Sequence, residues 1–164
     1  MRGVRSILVA AMLGLAGCAA VQGISPMPDV YVMRHLHTPV GASDPDLTAE
    51  GVLAASLLVD RFRRDKPKVI FVTRTKRAMQ TAAPLARAVG VTPTLYDPAD
   101  TPGLVAAVAR ETGTILIVGH SNTVPVIIEA LGGWRPAPLT HGDFGDLWHI
   151  TGATRATRHT KISR

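Results

Sequence analysis

The stretch TILIVG, Thr114–Gly119, runs directly into His120 and Ser121. Six uncharged, largely β-branched residues predict a strand buried on both faces, the pattern of a parallel sheet covered by helices. Working outward, apolar runs and amphipathic stretches alternate along the chain. Strands are predicted over 30–33, 68–73, 92–96, 146–151 and about 154–161. A helix capped by Thr48 is predicted to run to about Asp65, with Leu53, Leu57, Leu58 and Phe62 at helical spacing. Further helices are predicted over 77–89, where Pro84 should kink or break the turn, 104–110, and 122–131, closed by Gly132 and Gly133. Strand–helix alternation implies an α/β fold, a mostly parallel sheet with helices on both faces.

In such sheets ligands bind beyond the carboxyl ends of the strands. Three strand ends then define one candidate site. The first ends in Arg34-His35, the second in Thr73 with Arg77 shortly after, and the strongest in His120-Ser121. Two arginines and two histidines make a cationic pocket. Guanidinium forks match phosphate oxygens, a neutral imidazole is a nucleophile, and a second imidazolium stabilises phosphoryl charge. Phosphoryl transfer needs mainly positioning and charge neutralisation, so this set suffices without a metal or cofactor.

These residues resemble the histidine phosphatase superfamily, in its phosphoglycerate-mutase-like branch. VYVMRH at 30–35 is similar to its strand-plus-Arg-His signature. DLTAEG at 46–51 resembles the L-T-x-x-G element that opens its first helix. TRTKRAMQTA at 73–82 resembles its S/T-x-x-x-R-A-x-x-T-A segment, and VGHSNT at 118–123 the strand carrying its second histidine. The resemblance implies a three-layer αβα fold with a mixed sheet. It implies hydrolysis of a phosphate monoester or phosphorylated protein through a phosphohistidine. His35 would be the nucleophile, and Arg34, Arg77 and His120 would hold the phosphoryl oxygens. Leu36 and His37 depart from the family's usual Gly or Ala and Glu; a larger residue at 36 crowds the pocket floor or turns outward, which bears on specificity. For the family's proton donor, Asp100 stands at a suitable distance after Arg77; Asp97 and Glu129 are rivals.

Other chemistries are compatible with parts of the pattern. His35-Leu36-His37 is an H-x-H after a strand, to which Asp44, Asp46 or His120 would add metal ligands, but it leaves two arginines beside a cation. The segment 119–123 is similar to a G-x-S-x-G nucleophile elbow lacking its second Gly, with Asp143 and His149 as triad partners. A degenerate relative would bind a phosphorylated ligand without turnover. Ser121, Asn122 and Thr123 also suit a helix cap, and His141 and His159 carry no pattern.

Composition narrows the classes further. The 164 residues are 46% hydrophobic, so a core can form, and only 4% aromatic, which argues against nucleic-acid stacking. One cysteine excludes a disulfide framework and a multi-Cys zinc site. That cysteine, Cys18, follows Arg2, Arg5 and an apolar run over 7–17. The order fits a signal peptide too short to span a bilayer, and Leu15-Ala16-Gly17-Cys18 is similar to the lipobox of bacterial lipoproteins. The expected organisation is a signal peptide over 1–17, a lipidated Cys18 with a tether over 18–28, and a catalytic domain over 29–164. Lipidation implies the periplasmic side of a bacterial membrane; Ala19-Ala20, without Asp, favours the outer one. The mature chain keeps 16 Lys and Arg against 12 Asp and Glu, a charge of +4, which suits an anionic substrate or surface. The basic residues Arg155, Arg158, Lys161 and Arg164 fit a solvated edge strand. The expected partners are a small phosphorylated substrate or phosphoprotein and the membrane, with no nucleic acid; the sequence does not set the oligomeric state.

Overall fold

The computed structural model describes residues 27–162. Its strands are β1 (Asp29–Arg34), β2 (Val69–Val72), β3 (Thr94–Leu95), β4 (Thr114–Gly119), β5 (Asp146–Ile150) and β6 (Thr157–Lys161). Its helices are α1 (Ala49–Arg61), α2 (Lys76–Val89), α3 (Thr101–Val108) and α4 (Val124–Ala130). The strands form one sheet in the order β3-β2-β4-β1-β5-β6. β3, β2, β4 and β1 are parallel, whereas β5 and β6 join antiparallel. The expected three-layer α/β architecture with a mixed sheet is therefore met.

Alternation along each strand builds two cores. Tyr31, Met33, Ile70, Val72, Leu116, Val118 and Leu147 face α1 and α2. Val30, Val32, Phe71, Ile115, Ile117, Trp148 and Ile150 face α3 and α4. β4 lies between β2 and β1 and is buried at all six residues, which is why its sequence is an unbroken apolar run. The β-αconnections leave the carboxyl ends of β1, β2 and β4 at one end of the sheet.

Several boundaries differ from the sequence reading. Thr48 caps α1 as expected, its Oγ1 accepting from Gly51 N. The helix stops at Arg61 rather than near Asp65 because Asp65 turns back to the sheet, where its carboxylate accepts from Tyr31 Oη and Thr114 Oγ1. Small residues, Gly51, Ala54 and Ala55, line the face that α1 buries beside Leu58, while Leu53 is exposed. A Cβ at Gly51 would lie 2.5 Å from His37 O, so only glycine allows this approach. Pro84 does not end α2, which is one assigned helix to Val89. α3 starts earlier than predicted, at Thr101, and α4 later, at Val124, because His120–Thr123 first make a turn on the His120 carbonyl. The signal peptide, Cys18 and the tether up to residue 26 lie outside the described residues, as does Arg164. Among the described residues no helix is long and apolar enough to cross a membrane.

Candidate active site

β1 and β4 are ladder neighbours with Arg34 opposite Gly119, and His35 N donates to Gly119 O at 2.9 Å. The ladder thus delivers His35 and His120 side by side, with ring centroids 5.5 Å apart. Gly119 lets the backbone pass between α4 and the β3 side: a Cβ there would meet Thr123 Oγ1 at 2.9 Å and Tyr96 Oη at 3.1 Å. Thr123 Oγ1 accepts from His120 N at 3.0 Å and fixes the turn that presents the ring.

His35 is buried, and its Nδ1 lies 2.9 Å from Leu36 O. A carbonyl only accepts, so Nδ1 carries the proton and Nε2 keeps its lone pair. Burial pushes the His35 pKa down to about 3, outweighing the Leu36 hydrogen bond; Arg34, His120 and Arg77 lower it further. The imidazole is neutral at pH 7, as a nucleophile requires. His120 is pushed down to about 4, first by burial and then by Arg77 and Arg34, against a small opposing effect of Asp44. The expected second imidazolium is therefore a neutral ring in the ligand-free cleft, because burial and the two guanidinium charges outweigh Asp44. Thr73 Oγ1 holds its Nε2 at 3.0 Å.

Arg34 is 6% exposed. Its Nη1 donates to the carbonyls of Thr140, His141 and Asp143 at 2.7, 3.2 and 3.3 Å, and its guanidinium lies over Phe144 at 4.2 Å. The Asp143 carboxylate closes that turn by accepting from Thr140 N and Oγ1, and these bonds hold its pKa below the usual range. Arg77, on the first turn of α2, donates from Nη1 to Ser43 O and Asp44 Oδ1, both at 3.2 Å. Two buried atoms in this cluster, Arg34 Nε and His120 Nδ1, have no partner among the described residues. Buried polar groups are ordinarily satisfied, so both are donors left without an acceptor in the ligand-free fold. The four side chains line a cleft of about 650 Å³, walled by 38–43, Pro45, Thr75, Pro98, Ala99, 121–123 and His141.

The structure thus gathers His35, Arg34, Arg77 and His120. It does not bring Asp100 to the cleft: the carboxylate caps α3, accepting from Gly103 N at 2.8 Å. Asp97 closes a turn on Ala99 N, and Glu129 pairs with Arg135. Leu36 neither crowds the pocket floor nor turns outward; it is fully buried in the core beneath α1 and α2. His37 lines a different cleft beside Glu50 and Phe144, so the H-x-H histidines do not converge. Asp44 holds Lys76 N and Arg77, and Asp46 accepts from Gln80. His149 bonds Asp29 at the opposite end of the sheet, which separates it from Ser121 and Asp143. Sequence reading missed Thr81, whose Oγ1 accepts from Leu36 N at 2.9 Å and donates to Arg77 O, tying the two arginine-bearing elements together. Its place in the T-A pair of the 73–82 segment was the available signal. The 140–144 turn carried none.

Residues 30–99 match the family model of the histidine phosphatase superfamily (branch 1). No curated protein matches the chain. Solved structures with this fold include the protein histidine phosphatase SixA complexed with tungstate, at 17% identity and TM-score 0.61, covering 80% of this chain and 94% of that one. A phosphoserine phosphatase of Entamoeba histolytica gives 15% and 0.62, covering 84% and 98%. A mycobacterial glucosyl-3-phosphoglycerate phosphatase gives 13% and 0.62, covering 82% and 97%. At these identities the likeness is one of fold, a likeness that extends from β1 to the antiparallel strands beyond residue 99.

Proposed function

We propose, on the premise that this is a histidine phosphatase superfamily chain by its 30–99 match and its sheet, that it hydrolyses phosphate monoesters or phosphorylated proteins through a phosphohistidine. The observation that carries the reading is the convergence of Arg34, Arg77 and His120 on one cleft with a His35 whose Nε2 holds a lone pair. A phosphoryl group seated among Arg34, Arg77 and His120 presents its phosphorus to His35. The Nε2–P bond forms as the P–O bond to the leaving group breaks. Water then attacks phosphorus, the P–N bond breaks, and inorganic phosphate leaves with His35 neutral again. Bound phosphate offsets the guanidinium charges, so His120 takes up a proton when the anion arrives.

None of the described residues lining the cleft is a carboxylic acid. The leaving group then takes its proton from water, which favours groups that leave readily, such as a phenolate or a phosphorylated imidazole. A solved protein of this fold is a protein histidine phosphatase, in keeping with that class. Cys18 is proposed as a lipid anchor that holds the domain on the periplasmic face of a membrane.

The test is a rapid acid quench after mixing with isotope-labelled aryl phosphate. Label stable to alkali and mapped to His35 is expected, with none in His35→Ala and turnover abolished there. Arg34→Ala, Arg77→Ala and His120→Ala should each lose roughly 10²–10³ in kcat. Full activity in His35→Ala would refute the mechanism.

A further inference from the structure

The end of the sheet opposite the cleft carries features that the phosphatase reading does not use. The chain enters the fold there: Met27 O packs so closely on Gly152, in the β5–β6 turn, that a Cβ at 152 would collide with it, and Asp29 accepts from Gly152 N. Trp134 lies at the same end, its N donating to Thr157 Oγ1 at 2.8 Å, and its side chain is the most exposed large apolar group of the described residues, at 84%. The α1–β2 loop, also at this end, exposes Arg63, Arg64, Lys66 and Lys68, and none of the four forms an ion pair among the described residues. Glu129 is paired with Arg135, and Asp29, Asp60, Asp65 and Glu111 keep their charges at this end, but exposed Arg61, Arg87 and Arg110 at the ends of α1, α2 and α3 join the four loop cations and leave the end basic. By contrast, acidic residues 44, 46, 97, 100, 143 and 146 lie toward the cleft end.

We infer that this end is a membrane-facing surface, which takes anionic phospholipid headgroups on the α1–β2 loop and sets Trp134 into the interface. The inference rests on the proposed lipid anchor at Cys18 for its geometry. Residues 19–26 reach at most roughly 30 Å when fully extended, so an anchored domain stays near the bilayer. Their point of entry decides which end meets it. Tryptophan is favoured at the headgroup level, and each basic residue near an anionic surface strengthens contact about fivefold. β1 spans roughly 20 Å, so the cleft opens that far above the headgroups, facing away from the lipid.

The experiment uses the full chain, extracted from bacterial membranes and reconstituted into phosphatidylcholine vesicles with or without phosphatidylglycerol. The chain has two tryptophans, and Trp148 is buried, so the emission lost in Trp134→Phe is that of Trp134. In vesicles of brominated lipid, Trp134 emission should be largely quenched. Quenching should weaken without phosphatidylglycerol, in high salt, and in the triple variant Arg63→Glu, Arg64→Glu, Lys66→Glu, with aryl phosphate turnover unchanged. Equal Trp134 emission in brominated and ordinary lipid would overturn the proposal. The mass of the Cys18 peptide reports the anchor separately: quenching with an unlipidated Cys18 keeps the surface and removes the anchor, and lipidated Cys18 without quenching does the reverse.

Discussion

Two histidines carry the proposed chemistry, and both are neutral because burial beside guanidinium groups disfavours their charged forms. That has a cost in acid. Below the usual imidazole value near 6.5, the unfolded chain binds protons that the fold refuses until about 3 at His35 and about 4 at His120. The unfolded state binds more protons across that window, so stability is full above 6.5 and falls as pH drops toward 4. Thermal unfolding should show Tm falling over this range, more shallowly in His120→Asn, and less steeply with inorganic phosphate bound. A wild-type Tm that does not move, or one that moves equally in His120→Asn, would contradict it. The identities of Arg34, His35, Arg77 and His120 were readable in sequence because strand ends and motif spacing mark them. Their protonation was not, because it depends on neighbours far apart in the chain. His120 looked like a cation from its residue type and is neutral from its surroundings.

Elements explain why Asp100 was misplaced by spacing. The distance after Arg77 suits a donor, yet the same residue stands just before an apolar turn-forming stretch with Pro102 and Gly103, and the helix takes it as cap. Asp100→Ala should lower stability by about 1 kcal/mol, as for loss of an N-cap, while Asp100→Asn, which still accepts a hydrogen bond, should cost less. Neither should change the ratio of kcat/KM for alkyl against activated aryl phosphates. A ratio that falls selectively for alkyl esters would return Asp100 to the chemistry. Long periodic elements were legible: β4 was read to the residue because burial on both faces erases alternation. Leu53 misled the reading of α1, because Gly51, Ala54 and Ala55 bring that helix face so close to the sheet that the larger side chain is left outside. Close approach between elements is a property of pairs, and a single stretch of sequence does not display it.

At the scale of the molecule, charge and chain direction separate two ends. The cleft lined by Arg34, His35, Arg77 and His120 occupies one, and the chain entry and the basic loop occupy the other. Lipid on Cys18 would turn that polarity into an orientation. Cells carrying Cys18→Ala should yield protein that no longer incorporates labelled lipid. Fractionation in which wild type and variant hold to membranes equally, and neither carries label, would end the anchoring proposal. The three-layer order was legible from alternation alone. The antiparallel β5–β6 pair was read as two strands, but their direction depends on the 134–145 connection, which has no periodic pattern.

The hold on Arg34 has a consequence in time. Its Nη1 acceptors come 106, 107 and 109 residues later in the chain. Synthesis through His120 already provides every strand of the parallel sheet, both histidines and Arg77. The guanidinium, however, has no seat until Thr140–Asp143 emerges and docks. On the proposed mechanism a nascent chain therefore holds its nucleophile long before it holds a finished phosphate cradle, and turnover waits until Thr140–Asp143 has docked on the guanidinium.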